Sequence, residues 1–425
     1  MKRFTIKSLG CKVNQCESED IADALKKSGI KEIFPKSDQH LADICIINTC
    51  TVTQKASMQS RQAIRQAIRS NPKAKIIVTG CYAEIEPEAI KQINDTCSII
   101  GHSGKNKISE ITEIVLDGNT AATALPEQSF SIQKTRPFLK IQDGCNAFCT
   151  YCIVPYARGR SKSMPPAQVL EKIFSLQKNG YHETVLTGIH LGAYGQDLHP
   201  PVNLYTLLKK IELSKPSCRI RLSSIEPHEL TDNIIDLVAK SNIFCRHFHI
   251  PLQSGDNLIL KKMHRPYTRE FFNNLVLKIH KSIPDAAIGV DILAGFPGET
   301  DKAFENTYSL IKELPVTYLH VFPFSPRQGT PAAKYPYQIS PAIVKPETAR
   351  LRKLGALKKK AFYSSSIGKT AEIIIEGKKT KSGQLKGVTS NYIPVLINGG
   401  DNLKNSIAKV RINKLNDNSV SGNII

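Results

Sequence analysis

From Arg3 to Phe324 short apolar runs alternate with helical stretches, and this alternation restricts the fold more than any other feature of the chain. Antiparallel neighbours need only a turn between them, whereas strands separated by a helix pair in parallel. Near the N-terminus the runs are Arg3-Phe-Thr-Ile-Lys-Ser-Leu9, Asp43-Ile-Cys-Ile-Ile-Asn48 and Lys75-Ile-Ile-Val-Thr79, with helical patterns over 17–28, 54–70 and 86–92. They predict an α/β domain of flavodoxin-like type over residues 1–120. Six further runs follow: 138–141, 183–187, 219–223, 247–252, 289–293 and 318–324. With helices such as 166–178 and 269–281 between them, they predict a partial (β/α)6 barrel over 136–345, short of the eight units of a closed one. Residues 119–135 have no period, contain Pro126 and read as a linker.

The eleven cysteines sharpen this picture. Three of them, in Cys145-Asn-Ala-Phe-Cys149-Thr-Tyr-Cys152, follow the first barrel strand. A four-iron cluster needs four ligands, so three thiolates leave one iron open. The C-x3-C-x2-C spacing differs from zinc-ribbon pairs and from ferredoxin runs, although a small zinc site or unrelated core cysteines compete with the cluster. It resembles the signature of radical S-adenosylmethionine (SAM) enzymes, in which the open iron chelates SAM and an aromatic residue, here Tyr151, precedes the last cysteine.

Cys11, Cys50 and Cys81 each follow one of the N-terminal strands, two of them directly after a glycine. In an open parallel sheet the carboxyl ends of strands share one edge, where ligands bind. The sequence therefore delivers three distant thiols to one place, which suits a second three-thiolate cluster; ordinary buried cysteines are the competing reading. Cys16, Cys45, Cys97, Cys218 and Cys245 lack this placement and read as structural.

On the barrel's ligand edge Gly188 follows the second strand and Glu226 closes the third, while Asp291 lies inside the fifth. These are candidates for contacts with SAM, and the two carboxylates are equally candidates for pairing with Arg219 or Arg221. Beyond the barrel, 346–366 forms a basic connector helix with Leu351, Leu354 and Leu357 at helical spacing. Residues 367–425 hold five short strands, 370–375, 385–389, 393–397, 408–412 and 419–424, which predict a small OB-like β-barrel.

Charge supplies a partner class. The chain carries 58 Lys and Arg against 37 Asp and Glu, a formal charge of +21, and from Pro341 to Ile425 the count is 16 against 5. Basicity so concentrated is the footprint of a nucleic-acid partner. No apolar run reaches the roughly 20 residues of a membrane span, and the start, Met1-Lys-Arg-Phe-Thr-Ile6, has no secretory h-region. A cytoplasmic protein without disulfides is expected.

These parts together resemble the radical-SAM methylthiotransferase family. The matching residues are Gly10-Cys-Lys-Val-Asn14, Asn48-Thr-Cys-Thr-Val52, Thr79-Gly-Cys-Tyr-Ala83, Asp143 to Cys152 and Gly295-Phe-Pro-Gly-Glu-Thr300. Within the family, Lys12-Val13-Asn14, Thr51-Val52-Thr53 and Ile153 to Arg160 are most similar to the branch that modifies N6-threonylcarbamoyladenosine in tRNA. Lys162-Ser163-Met164 departs from it, being less Arg-rich. The resemblance implies two [4Fe-4S] clusters, one on Cys145, Cys149 and Cys152 and one on Cys11, Cys50 and Cys81, with SAM as cosubstrate. It also implies a C-terminal TRAM domain, an anticodon-loop substrate in tRNA, an electron donor such as flavodoxin or ferredoxin, and a sulfur donor. The same chemistry on isopentenyladenosine or a ribosomal protein, and a non-catalytic iron–sulfur RNA-binding protein, are the alternatives.

Overall fold

The computed structural model describes residues 2–34, 42–108 and 134–425; the linker expected at 119–135 lies almost wholly outside them. The chain divides into two units. Met1–Ser129, Gly144–Arg160 and Ser325–Ala333 make the first, and Phe130–Asp143, Ser161–Phe324 and Lys334–Ile425 the second.

The first unit is built on a sheet of order β2-β1-β3-β4-β5, parallel throughout, with β1 at Arg3–Ser8, β2 at Lys31–Glu32, β3 at Ile44–Thr49, β4 at Lys75–Gly80 and β5 at Ser98–Ile100. This is the flavodoxin-like strand order. Every residue of the central β3 is buried, and its side chains alternate between two apolar layers. Ile44 and Ile46 join Phe4, Ile21 and Leu25 on one face. Cys45 and Ile47 join Ala63, Ile64 and Tyr82 on the other. Cys45 is thus a core residue, and Cys16, Cys97, Cys218 and Cys245 are buried as well.

Two helix boundaries differ from the sequence reading. The first helix spans Lys12–Lys27 rather than starting at Glu17, and Cys11 occupies its N-cap without a side-chain hydrogen bond. No Ser, Thr, Asp or Asn marks that start, so the usual signal is missing. The helix expected at 86–92 is instead two short ones, Cys81–Ile85 and Pro87–Lys91, because Pro87 has no N–H to continue the first and opens the second.

The second unit begins with β6 (Phe138–Lys140) and a small antiparallel pair, β7 (Gln142–Asp143) and β8 (Lys162–Ser163). There follow β9 (Glu183–Thr187), β10 (Arg219–Leu222), β11 (His247–Gln253), β12 (Ala287–Ala294) and β13 (Tyr318–Pro323). Parallel ribbons β6-β9-β10 and β11-β12-β13 are joined by bridges between Ile220 and Phe244 and between Ser224 and His249, giving the six-stranded partial barrel. Alternate residues, among them Leu186, Ile220, Leu222, Phe248, Ile250, Ile288 and Val290, pack beneath the surrounding helices. The opposite parity carries Glu183, Arg219, Arg221, His249, Asp291, Tyr318 and His320, so the inner face is polar.

At the amino ends of these strands the polar residues bind the C-terminal barrel, whose strands are β14 (Thr370–Lys379), β15 (Leu385–Thr389), β16 (Pro394–Ile397), β17 (Ile407–Leu415) and β18 (Val420–Ile424). The five close into a barrel around Ile373, Ile375, Val395, Val410 and Val420. Glu183 accepts from Arg219 Nη2 at 3.0 Å and from Arg221 Nε at 2.7 Å. The same guanidinium groups donate to the carbonyls of Val388 (3.1 Å), Thr389 (3.2 Å) and Ser390 (2.9 Å). The Tyr392 ring lies 5.0 Å from the Arg221 guanidinium and 4.7 Å from the His247 ring. The connecting helix runs Pro341–Ser364, capped by Ser340, and buries Leu351 and Leu354 but leaves Leu357 exposed, contrary to the expected single face.

Burial would raise the Glu183 carboxyl, but Arg221, Arg219 and Arg136 overcome it and hold it down to about 2, against an ordinary 4.5. A folded value below the unfolded one stabilises the fold fully above pH 4.5, and the contribution is lost as pH falls toward 2. Glu183→Ala leaves two guanidinium groups without their carboxylate and is expected to cost about 3–5 kcal/mol at neutral pH. Urea unfolding checks this, and the penalty should shrink through that acid window.

Candidate iron–sulfur centres

The first unit contains both cysteine triplets. Cys11, Cys50 and Cys81 stand at the carboxyl ends of β1, β3 and β4, where three backbone carbonyls need donors. Asn14 supplies two of them, its Nδ2 donating to Leu9 O and Thr49 O, each at 2.8 Å. Asn48 Nδ2 in turn donates to Asn14 O at 2.9 Å. The Thr49 hydroxyl donates to Thr79 O at 2.6 Å and accepts from Ala83 N at 3.2 Å, tying the third loop to the second. Ser60 closes the second loop, accepting from Cys50 N at 3.1 Å and donating to Cys50 O at 2.8 Å.

Two glycines let these loops touch. Gly10 and Gly80 have φ of +89° and +93°, and a Cβ on Gly10 would lie 2.6 Å from the Cys50 sulfur. Cys11 is exposed, while Cys50 and Cys81 are buried. Burial pushes the Cys81 thiol up to about 11; Arg158 works against this, Cys50 adds to it, Lys105 opposes it and Cys11 adds again. Cys50 is also raised, by burial and by Cys11 among other causes. Cys50 and Cys81 are thus each raised in part by a neighbouring thiol. His102 Nε2 lies 3.7 Å from the Cys81 sulfur.

The second triplet sits on a loop closed at its base, where Cys145 N donates to Gly159 O at 3.1 Å. Gly144, with φ of +69°, lies against the Arg160 carbonyl where a Cβ would overlap. Phe148 has φ of +45°, a strained conformation for an aromatic residue. Its ring meets Tyr156 edge-on at 5.7 Å with the Arg160 guanidinium 5.4 Å away. Ala147 N donates to the Cys145 sulfur at 3.4 Å, the kind of contact that tunes a cluster's potential. Ala332 N donates to Thr150 O at 2.9 Å, holding the loop within its unit.

These donor sets fit iron–sulfur clusters: each offers three thiols, one set on strand-end loops and the other on a closed loop. Binding iron would displace the thiol protons that burial retains on Cys50 and Cys81. Tyr151 lies half-buried on the second loop. The other sequence candidates lie in the second unit and have protein partners. Gly188 lies against the Gln142 side chain, where a Cβ would come within 2.8 Å of its Oε1. Glu226 pairs with Arg265, and Asp291 accepts from His249 Nε2 at 2.7 Å and His320 Nδ1 at 3.2 Å. Neither carboxylate pairs with Arg219 or Arg221; Glu183, one strand away, takes both.

Two groups went unseen in the sequence. The ligand atoms of His249, Asp291 and His320 lie within 4.8 Å of one another; His247-Phe-His249 was the available signal. Two arginines outside the N-terminal sequence enter its polar layer. Arg158 bonds Asn14 and Glu17, and Arg327 Nη2 donates to Thr51 Oγ1 at 2.6 Å and to Glu86 Oε1 at 3.0 Å.

Comparison with known proteins gives this geometry a family. Residues 3–102 match Uncharacterized protein family UPF0004, 139–311 the Radical SAM superfamily and 364–425 the TRAM domain. The chain is 38% identical over 429 residues to "Threonylcarbamoyladenosine tRNA methylthiotransferase MtaB" of Bacillus subtilis, covering 97% of this chain and 94% of that one. It belongs to the radical-SAM methylthiotransferase family. The methylthiotransferase of the same name from Rickettsia prowazekii is 38% identical over 400 residues, covering 92% of this chain and 91% of its own. A relative of another name, "tRNA-2-methylthio-N(6)-dimethylallyladenosine synthase" of Clostridium botulinum, is 35% identical over 443 residues, covering 99% and 96%. In fold, this methylthiotransferase is similar to the radical SAM methyltransferase TsrM of Kitasatospora setae, solved with cobalamin and a [4Fe-4S] cluster, at a TM-score of 0.58 and 15% identity over 78% and 77% of the two chains.

Thr49→Val in this methylthiotransferase removes both bonds of the buried hydroxyl, leaving the Ala83 N–H without its acceptor and the Thr79 carbonyl without that donor. The expected cost is about 1–3 kcal/mol, together with a lower iron content after anaerobic reconstitution. Iron analysis alongside thermal unfolding checks both.

Proposed function

We propose that the chain is a tRNA-modifying radical-SAM methylthiotransferase that adds a methylthio group to C2 of N6-threonylcarbamoyladenosine at tRNA position 37. Cys145, Cys149 and Cys152 hold one [4Fe-4S] cluster with an iron open to SAM, and Cys11, Cys50 and Cys81 hold a second with an iron open to sulfur. The observation that carries this reading is the presence of two separate three-thiol sites in one unit. One open iron suffices to generate a radical; a second gives sulfur a place to be held. Bound there, the clusters and SAM supply the adenosyl radical and the sulfur that an unactivated ring carbon requires.

The chain's own residues position these groups. Asn14, Thr49 and Ser60 fix the strand-end loops, and the Cys145–Gly159 closure fixes the other. Tyr151, Gly188, Glu226 and Asp291 remain candidates for lining SAM. In the second unit the exposed Lys353, Lys360, Lys378, Lys381, Lys409 and Arg411 offer phosphate contacts, which position RNA without reading its sequence. An anticodon loop, whose bases splay out singly, suits a site that must reach an adenine ring edge. An electron donor such as flavodoxin or ferredoxin and a sulfur donor complete the reading, with a cytoplasmic location. Among the described residues no helix is long and apolar enough to cross a membrane. The domain boundaries that go with this reading are 1–120, 136–345, 346–366 and 367–425.

The threonylcarbamoyl substrate is favoured by the names of the relatives from Bacillus, Rickettsia and Chlamydia and by the Lys12-Val13-Asn14 and Thr51-Val52-Thr53 motifs. Mass spectrometry of tRNA nucleosides from a deletion strain should show loss of 2-methylthio-N6-threonylcarbamoyladenosine, restored by this chain. Unchanged levels refute the substrate, and loss of the isopentenyl counterpart instead selects the rival branch. Reconstituted protein given SAM and dithionite should release 5′-deoxyadenosine, and Cys149→Ala should abolish that release. Cys50→Ala should lower bound iron from about eight to about four atoms per chain.

A further inference from the structure

Arg158 is the last residue of the helix Val154–Arg158, which starts two residues beyond Cys152. Its guanidinium leaves that segment's surroundings and enters the polar layer beneath the strand-end cysteines. Nη1 donates to Glu17 Oε1 at 3.0 Å, and Nη2 donates to Asn14 Oδ1 and to Glu17 Oε2, the latter at 3.4 Å. Glu17 Oε2 also accepts from Lys105 Nζ at 2.6 Å. All three charged side chains are buried, Arg158 to 1% exposure, Glu17 to 6% and Lys105 to 7%. Arg158 and Lys105 are thus two buried cations on the Glu17 carboxylate. Asn14, which Arg158 grips, is also the residue that holds the carbonyls ahead of Cys50 and beside Gly10.

The consequence for the cysteines is electrostatic. The Arg158 guanidinium is one hydrogen bond from Asn14, whose amide holds Leu9 O and Thr49 O, so a buried cation stands two hydrogen bonds from the loops that carry Cys11 and Cys50. Such a cation stabilises thiolate and, by the same Coulomb argument, any further negative charge placed there. Reduction of an iron–sulfur cluster by one electron adds such a charge, and nearby fixed charge sets how readily it is accepted.

We propose that Arg158 is a positioning residue that tunes the cluster held by Cys11, Cys50 and Cys81, raising its reduction potential. Because the cation is delivered by the segment that carries Cys145, Cys149 and Cys152, the tuning of one centre depends on the folding of the loop that holds the other. This inference rests on the ligand assignment proposed above.

The test uses the full chain with Cys145, Cys149 and Cys152 changed to Ala, so that only the N-terminal centre loads. After anaerobic reconstitution, a redox titration followed by electron paramagnetic resonance gives its midpoint. Adding Arg158→Met is expected to lower the midpoint, and Arg158→Lys, which keeps the charge, to restore most of it. Glu17→Gln, which removes the compensating carboxylate, is expected to shift it the opposite way. A residue that served only to hold the fold would not produce shifts of opposite sign. Iron-loaded parent protein with the same midpoint in Arg158→Met overturns this inference alone. A parent that binds no iron overturns the ligand assignment and this inference with it. Where Arg158→Met fails to load, Glu17→Gln decides: an unchanged or lowered midpoint overturns the inference.

Discussion

The hydrogen bonds of Asn14 and Thr49 are the interactions on which the N-terminal centre depends. A parallel sheet that ends at a ligand edge leaves carbonyls there, and buried carbonyls must find donors. Here the carbonyls of Leu9, Thr49 and Thr79 accept from the side chains of Asn14 and Thr49. The same bonds fix the three loops that carry Cys11, Cys50 and Cys81. The cysteines are in register because the backbone at the end of each strand has already been accounted for.

Buried charge follows one pattern in both units. Glu17 is shared by Arg158 and Lys105, and Glu183 by Arg219 and Arg221. Asp291 repeats the arrangement with His249 and His320. In the first two cases the cations also meet something besides the carboxylate: the Asn14 amide in the first unit, backbone carbonyls and an aromatic face in the second. Desolvating a charge is costly, and sharing one carboxylate reduces the number of ions that must be buried.

Period and position are legible in the sequence itself. Runs such as Asp43–Asn48 and Glu183–Thr187 are short, apolar and bounded, so their strands were recoverable to within a residue or two, and the strand-end cysteines followed from topology. The five strands of the C-terminal barrel were readable for the same reason, since Gly383, Gly399 and Gly400 interrupt them. What could not be read depends on packing between distant segments. Arg219 and Arg221 looked equally ready to pair with Glu226 or Asp291, and only the inward parity of β9 brings Glu183 to them. Arg158 gives no local sign that it belongs to the layer around Asn14. The early start of the first helix was hidden because Cys11, not a hydroxyl or carboxamide, caps it.

Arg219 and Arg221 reach the C-terminal barrel largely through main-chain carbonyls, those of Val388, Thr389 and Ser390, with the Glu372 carboxylate 3.8 Å from Arg219 as a side-chain partner. A joint made to the main chain is indifferent to most of the residues it holds. Substitutions on the outward surface of that barrel can therefore be made without loosening its seat. Tyr392 and Glu372 are exceptions, because their side chains are themselves part of the contact.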